Sequence, residues 1–331
     1  MRIAILGLGR IGSVHAETLA ALADSLVVAD PSPEKVHKAQ QFGAEAAASA
    51  EAAMAAGVEG VVIAASTHTH PKLLEAAVRA GLPVFCEKPV AGDLADAIAV
   101  WRAIANSDTP VQIGFNRRFD PAFVAARAAV ESGELGPLHT IRSTTLDPAP
   151  PPAEYVAVSG GLFRDCSVHD FDIVRWVSGR EVVEVYAVGG NRGADYIRAA
   201  GDVDTATATL TLDDGSIAVV SNSRHNGRGY DVRLELHGFR DSIAAGLEDK
   251  LPLRSVEPGA RFPAGEPHDF FLDRFKPAYR AELAAFLDVV AGKRTSPCTV
   301  RDAIEASRIA EACTLSVQEH RPVRLEEIPS V

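Results

Sequence analysis

From residue 1 to about 115 the chain alternates short apolar, β-rich runs with longer stretches whose apolar positions recur every three or four residues. "RIAIL", "SLVVAD", "GVVIAAS", "PVFCE" and "PVQIGF" are apolar at successive positions, without the alternation of a strand that has one wet face. "PKLLEAAVRAG" and "DLADAIAVWRAIANS" carry the helical period between them. Strands apolar on both faces and separated by helices are what a parallel sheet covered on both sides requires. Residues 1–118 are therefore expected to form a doubly wound α/β domain.

After "GFNRRFDPAFVAARAAVESGELG" the period changes. "DTATATLTLDDGSIAVVSNSRH" alternates in two runs around Asp213, Asp214 and Gly215, residues that tolerate the positive φ of a tight hairpin. "YDVRLELHGFRDSIAAG" continues the pattern, residues 248–269 read as a long loop, and "AELAAFLDVVAG" and "VRDAIEASRIAEACTLSVQEH" read as closing helices. The Pro-rich "DPAPPPAEY" is either a stiff surface loop or a wall over a pocket. Residues 119–331 are expected to form an α+β domain with a large, open, mostly antiparallel sheet.

At 331 residues the chain is long enough for two such cores. Its 47% hydrophobic and 23% charged residues exclude wholesale disorder. No apolar run approaches the ~20 residues that cross a bilayer. A formal net charge of -11 argues against a nucleic-acid or anionic-membrane surface, because both need clustered Lys and Arg. A strand starting at residue 2 leaves no place for a secretory signal, and Cys86, Cys166, Cys298 and Cys313 show no metal or disulfide spacing. A cytoplasmic protein with reduced core thiols and no metal is expected.

"GLGRIG" sets Gly7, Gly9 and Gly12 between the first strand and the first helix, with Arg10 and Ile11 inside the same turn. Glycines at this spacing permit the turn, admit a pyrophosphate to backbone N–H groups and let helix and strand pack closely, as a Rossmann dinucleotide site needs. Asp30 ends the second strand, where it can accept hydrogen bonds from the adenosine ribose and repel a 2′-phosphate, which favours NAD over NADP. The competing reading of Asp30 is a turn former or helix cap before Pro31. Thr67 and His70 of "STHTHPKLLEAA" follow a strand at the carboxyl edge, where both can contact the cofactor; the competing reading is Thr69 or His70 as a cap of the helix that begins near Pro71. "FCEKPVAG" puts Glu87 and Lys88 on that same edge as further expected cofactor contacts, and a lysine there beside a nicotinamide can also bind a substrate hydroxyl.

"GGLFRDCSVHDFDIVRW", residues 160–176, has the apolar pattern of a buried helix. Yet Asp165, His169 and Asp172 recur at intervals of four and three, which is one helical face. Unpaired buried charges are costly, so this face either lines a polar cleft, with Asp172 holding a substrate hydroxyl, or forms a structural Asp–His pair. Asp170 lies off the face and reads as structural.

In this order and at these separations, "GLGRIG", "CEKP", "GFNRRFD" and "GGLFRDCSVHDFDIVRW" resemble the Gfo/Idh/MocA oxidoreductase family over essentially the whole chain. The last two motifs are most similar to its inositol 2-dehydrogenase branch. The resemblance implies a Lys–Asp–His set that falls on Lys88, Asp165 and His169. In that set His169 removes the hydroxyl proton while hydride passes to nicotinamide C4 of NAD, Asp165 orients His169 and favours its protonated form, and Lys88 binds the reacting oxygen. The resemblance also carries Asn116 and Arg117 into the substrate pocket and matches Asp147 and Tyr230 to further pocket positions.

The function expected is NAD-dependent oxidation of a secondary hydroxyl of a cyclic polyol, myo-inositol or another inositol, to a ketone. Asn116 and the Pro-rich loop leave a pyranose or anhydrosugar open as the ring. A non-catalytic NAD-binding regulator is the alternative of another class, and the joint presence of Lys88, Asp165 and His169 speaks against it. Strands such as "TATATLTL" carry small and β-branched residues on both faces. A homo-oligomer, dimer or tetramer, is therefore expected through the second domain's sheet, with a small-molecule substrate and neither nucleic acid nor membrane as partner.

Overall fold

The computed structural model describes residues 1–331, which fall into two compact units. The first is built on six strands: β1 (Arg2–Leu6), β2 (Ser25–Ala29), β3 (Glu45–Ala46), β4 (Gly60–Ile63), β5 (Val84–Glu87) and β6 (Val111–Gly114). Their order is β3-β2-β1-β4-β5-β6 and every pairing is parallel. The order reverses between β1 and β4, the topological switch point beside which doubly wound sheets bind nucleotides. Helices α1 (Arg10–Ala20), α2 (Pro33–Gln40), α3 (Ala50–Met54), α4 (His70–Arg79) and α5 (Leu94–Ile104) provide the crossovers. The unbroken apolar runs are explained by burial: β4 and β6 have no exposed residue, and β1 and β2 are buried after their first residue.

Residues 279–304, expected with the second domain, belong to this first unit. The helix Lys276–Val290 sends Leu283, Phe286 and Leu287 into the same core as Ile3, Val28, Val62 and Phe85. Gln112 on β6 donates to the Glu282 carbonyl, and the Ile113 N–H donates to the Cys298 carbonyl. A parallel sheet needs cover on both faces, and a helix far along the chain supplies part of it here. A single boundary after residue 118 therefore describes only where the chain first leaves the first unit.

The second unit comprises residues 117–278 and 305–329. Its sheet contains β7 (Leu138–Leu146), β8 (Val182–Gly190), β9 (Thr205–Leu212), β10 (Ile217–Ser223), β11 (Asp231–Gly238), β12 (Ser242–Ala245) and β13 (Val323–Arg324), in the order β12-β11-β7-β10-β9-β8-β13. All pairings are antiparallel except β10 with β7. The β9–β10 hairpin forms as the sequence predicts: Gly215 takes φ +85°, and Asp214 accepts from both the N–H and the hydroxyl of Ser216.

Helix α6 (Pro121–Glu131) is capped by Asp120, which accepts from the Ala122 and Phe123 N–H groups. After the short α7 (Ala153–Val156) the chain forms a π-helical stretch, Phe163–Ser167, that runs directly into α8 (Val168–Ser178). A π turn advances less per residue than an α turn and is found most often at functional sites. Asp165 lies in the π segment and His169 and Asp172 in the α segment. All four cysteines are free thiols in buried positions.

Candidate active site

The glycines of the β1–α1 turn divide by geometry. A Cβ on Gly7 would stand 2.4 Å from the Ala65 Cα, and one on Gly12 would stand 2.1 Å from the Gly7 carbonyl oxygen. Both positions exclude any larger residue so that β1, α1 and the β4 end can meet. A Cβ on Gly9 would meet nothing within 4 Å, and Gly9 caps α1 without a side chain bonded to the helix's first N–H groups. Open space before an uncapped helix start is a fit for a pyrophosphate. Arg10 and Ile11 begin α1 at that opening.

Asp30 follows β2, and its two oxygens accept from the Leu8 N–H at 2.7 Å and the Ser32 N–H at 2.8 Å, with the Lys35 ammonium 4.0 Å away. It forms the turn before Pro31 and still keeps carboxylate lone pairs to offer a ribose. Thr67 opens a 3-10 turn at the end of β4. The helix-cap reading fails here: α4 has no side-chain cap, and the Thr69 hydroxyl donates to the Ser66 carbonyl. His70 also departs from its expected place among the cofactor contacts. It is buried, with Nδ1 2.8 Å from the Pro89 carbonyl and Nε2 3.0 Å from the Ala65 carbonyl, so its ring bonds to backbone.

Glu87 ends β5 and is held by a residue the sequence reading did not single out, since His15 of α1 places Nε2 2.6 Å from Glu87 Oε1. Glu87 therefore acts inside the fold. Lys88, the next residue, is half-buried.

In the second unit, burial separates the acidic and histidine side chains of helix Val168–Ser178 and the π turn before it into two pairs. Asp165 and His169 are half-buried, whereas Asp170 and Asp172 are 0% exposed. Asp172, expected to hold a substrate hydroxyl, is instead bound by Arg118, whose Nε and terminal nitrogen approach its two oxygens at 2.9 and 2.5 Å. This is a fork-shaped ion pair with no solvent face. Asp170 accepts from Arg117 at 2.9 Å, Ser143 at 2.6 Å, Thr145 at 2.8 Å and Asn222 at 2.8 Å. Arg117, expected against substrate, is thereby tied to Asp170 and also donates to Thr145.

Asp165 accepts from the Tyr155 hydroxyl at 2.8 Å and from Arg224 at 3.2 Å. The Pro-rich segment thus delivers Tyr155 to the candidate site. Arg224, 1% exposed, also reaches Asp202 at 3.4 Å. Asp147, at the end of β7, and the buried Tyr230, just before β11, share this neighbourhood with Cys166. Burial pushes the Tyr230 hydroxyl and the Cys166 thiol up, and the charge of Asp147 adds to both shifts, so Cys166 is a thiol rather than a nucleophilic thiolate. Asn116 is buried in the 3-10 turn Asn116–Phe119.

Part of what was missed had a signal. Ile141, Ser143 and Thr145 are the inward residues of β7, and Ala218, Val220 and Asn222 those of β10. Polar residues in the buried phase of both strands mark a hydrogen-bonded centre. The glycine geometry leads to a direct expectation: Gly9→Ala keeps the melting temperature within about 2 °C but loses NAD affinity, whereas Gly12→Ala lowers the melting temperature. Thermal melts with titration of NAD check both.

No helix is long and apolar enough to cross a membrane. Residues 1–115 match the family described as "Oxidoreductase family, NAD-binding Rossmann fold", and residues 123–244 match "GFO/IDH/MocA C-terminal domain". A myo-inositol 2-dehydrogenase from Thermotoga maritima is 37% identical over 334 residues, covering 99% of each chain. The crystal structure of a myo-inositol dehydrogenase from Corynebacterium glutamicum superposes with a TM-score of 0.90 at 38% identity, covering 98% of each chain. That of scyllo-inositol dehydrogenase from Lactobacillus casei, with NAD(H) and scyllo-inositol bound, gives 0.87 at 28% identity over 98% of this chain and 99% of that one. With both domains matched in order and the dinucleotide turn in place, the chain belongs to the Gfo/Idh/MocA family of NAD-dependent oxidoreductases.

Proposed function

We propose that this dehydrogenase oxidises one secondary hydroxyl of a cyclic polyol, myo-inositol in the first instance, to the keto-inositol. The observation that carries the reading is the sorting of charge along the helix that starts at Phe163. Asp165 and His169, the members of the expected Lys–Asp–His set on this helix, keep access to solvent, while the neighbouring Asp170 and Asp172 are sealed inside by arginines. Full-length relatives named for myo- and scyllo-inositol support the substrate class.

In this reading His169 takes the proton of the reacting hydroxyl as general base. Asp165, fixed by Tyr155 and Arg224, offsets the positive charge that His169 then gains. Lys88 donates to the reacting oxygen and stabilises its alkoxide character as the carbonyl forms. Gly7, Gly9 and Gly12 with Asp30 hold NAD, which when bound accepts the hydride from the carbinol carbon. Asp147 and Tyr230 are the remaining candidates for contact with the polyol ring.

We place the protein in the cytoplasm as a homo-oligomer, dimer or tetramer. Tyr186 and Val188 on β8 and Ile217 on β10 are exposed on the outer phase of strands whose inner phase is buried, which supports association through that sheet. Light scattering is expected to give a multiple of the 35.0 kDa chain, and a monomer mass contradicts it.

The function is tested by NADH formation from NAD with myo-inositol, scyllo-inositol, glucose, xylose and levoglucosan. The expected result is a rate on an inositol. A rate on a sugar alone keeps the chemistry and changes the ring, and no rate on any of these, with NAD still bound, favours a non-catalytic regulator.

A further inference from the structure

Lys88 stands between two residues that are each gripped by a buried histidine from another element. Glu87 Oε1 lies 2.6 Å from Nε2 of His15 on α1, and a carboxylate can only accept, so the ring donates. The Pro89 carbonyl lies 2.8 Å from Nδ1 of His70 on α4, whose Nε2 lies 3.0 Å from the Ala65 carbonyl. The two rings are 0% and 1% exposed. One further hydrogen bond, and the lack of a side chain at Gly114, complete the socket. The Cys86 thiol donates to the Glu87 carbonyl at 3.4 Å, and Glu87 Oε2 lies 3.0 Å from where a Cβ on Gly114, its neighbour across β5 and β6, would stand.

A loop at a strand end is ordinarily held by its backbone and leaves a lysine loosely placed. Here the side chain before Lys88 and the carbonyl after it are both fixed from inside the fold. His15 sits edge-on to Phe85 and Tyr279, a setting in which an apolar side chain avoids the cost of burying a polar ring. Its Nε2 is accounted for by the bond to Glu87, while its Nδ1 is buried with no hydrogen-bond partner, a further cost that an apolar side chain would avoid.

We infer that His15 and His70 are positioning residues for Lys88, an inference that rests on the reading of Lys88 as the group that binds the reacting oxygen. His15 belongs to α1, the helix whose start faces the open space at Gly9, so the seat of the dinucleotide and the seat of the lysine are joined through one helix. Small displacements of a reacting group cost far more in turnover than in ground-state binding, and loss of this grip acts mainly on kcat.

The test uses the full-length protein, NAD and whichever compound of the panel above gives the highest rate. His15→Leu is expected to lower kcat about tenfold or more, with the Kd for NAD unchanged within about twofold. His15→Gln, whose amide nitrogen can replace Nε2 as donor, is expected to recover kcat to within about threefold of native. In a Lys88→Met background, adding His15→Leu changes the residual rate by less than about twofold, since no lysine is left to misplace. Should His15→Leu not fold, Glu87→Met, which keeps the side-chain length but removes the acceptor of His15 Nε2, carries the same expectations for kcat and NAD. Native kcat in His15→Leu, equal losses with and without Lys88, or a rate loss explained by weaker NAD binding overturns the inference. A native rate in Lys88→Met removes the role of Lys88 itself, and the inference with it.

Discussion

A carboxylate cut off from water has to be met by donors inside the protein, and Asp170 is the place where this one organises itself around that requirement. Its oxygens draw in Arg117 from the start of the second unit, Ser143 and Thr145 from β7 and Asn222 from β10. Those contacts pin α8 across the one parallel pair of an otherwise antiparallel sheet. Removing a partner from such a site strands a buried charge, which costs about 3–5 kcal/mol, so the arrangement behaves as a unit. Arg118 and Asp172 repeat the device two residues further along α8. With Asp170 and Asp172 satisfied internally, the same helix is free to present Asp165 and His169 outward.

The first unit solves a related problem at the carboxyl ends of its strands. The β1–α1 turn is packed so closely that Gly7 and Gly12 admit no side chain, while Gly9 faces open space. Nearby, β5 ends in a carboxylate that His15 holds, immediately before the lysine on which the proposed chemistry relies. In both units a buried ionic or hydrogen-bonded pair fixes the backbone next to a residue that stays accessible. That is how rigid elements place reactive side chains with little motion.

Features encoded locally were legible in the sequence. The parallel strands show as apolar runs, the dinucleotide turn as three spaced glycines, and the β9–β10 hairpin as Asp213, Asp214 and Gly215, because each depends on neighbours in the chain. The helix Lys276–Val290 shows its apolar face but not which sheet that face covers, so its membership of the first unit was hidden. The spacing of Asp172 shows its helical face but not the buried partner, Arg118, that meets it there. That partner lies 54 residues away, and Arg224 lies 59 residues from Asp165; pairings at that distance leave no periodic trace. Asp170 was rightly set apart as structural because it lay off the common face. The strand residues that hold it are polar in a buried phase, a signal present but unused.

One helix thus carries two kinds of charge: Asp172 serves the fold, and in the proposed mechanism His169 serves the reaction. Urea unfolding and NAD-dependent kcat measured together on Asp172→Ala and His169→Ala test it most directly. Asp172→Ala is expected to lose about 3–5 kcal/mol in stability. His169→Ala is expected to keep near-native stability with kcat reduced about 10²–10⁴-fold. A stable Asp172→Ala protein with a raised KM, or a His169→Ala protein that turns over at the native rate, would contradict it.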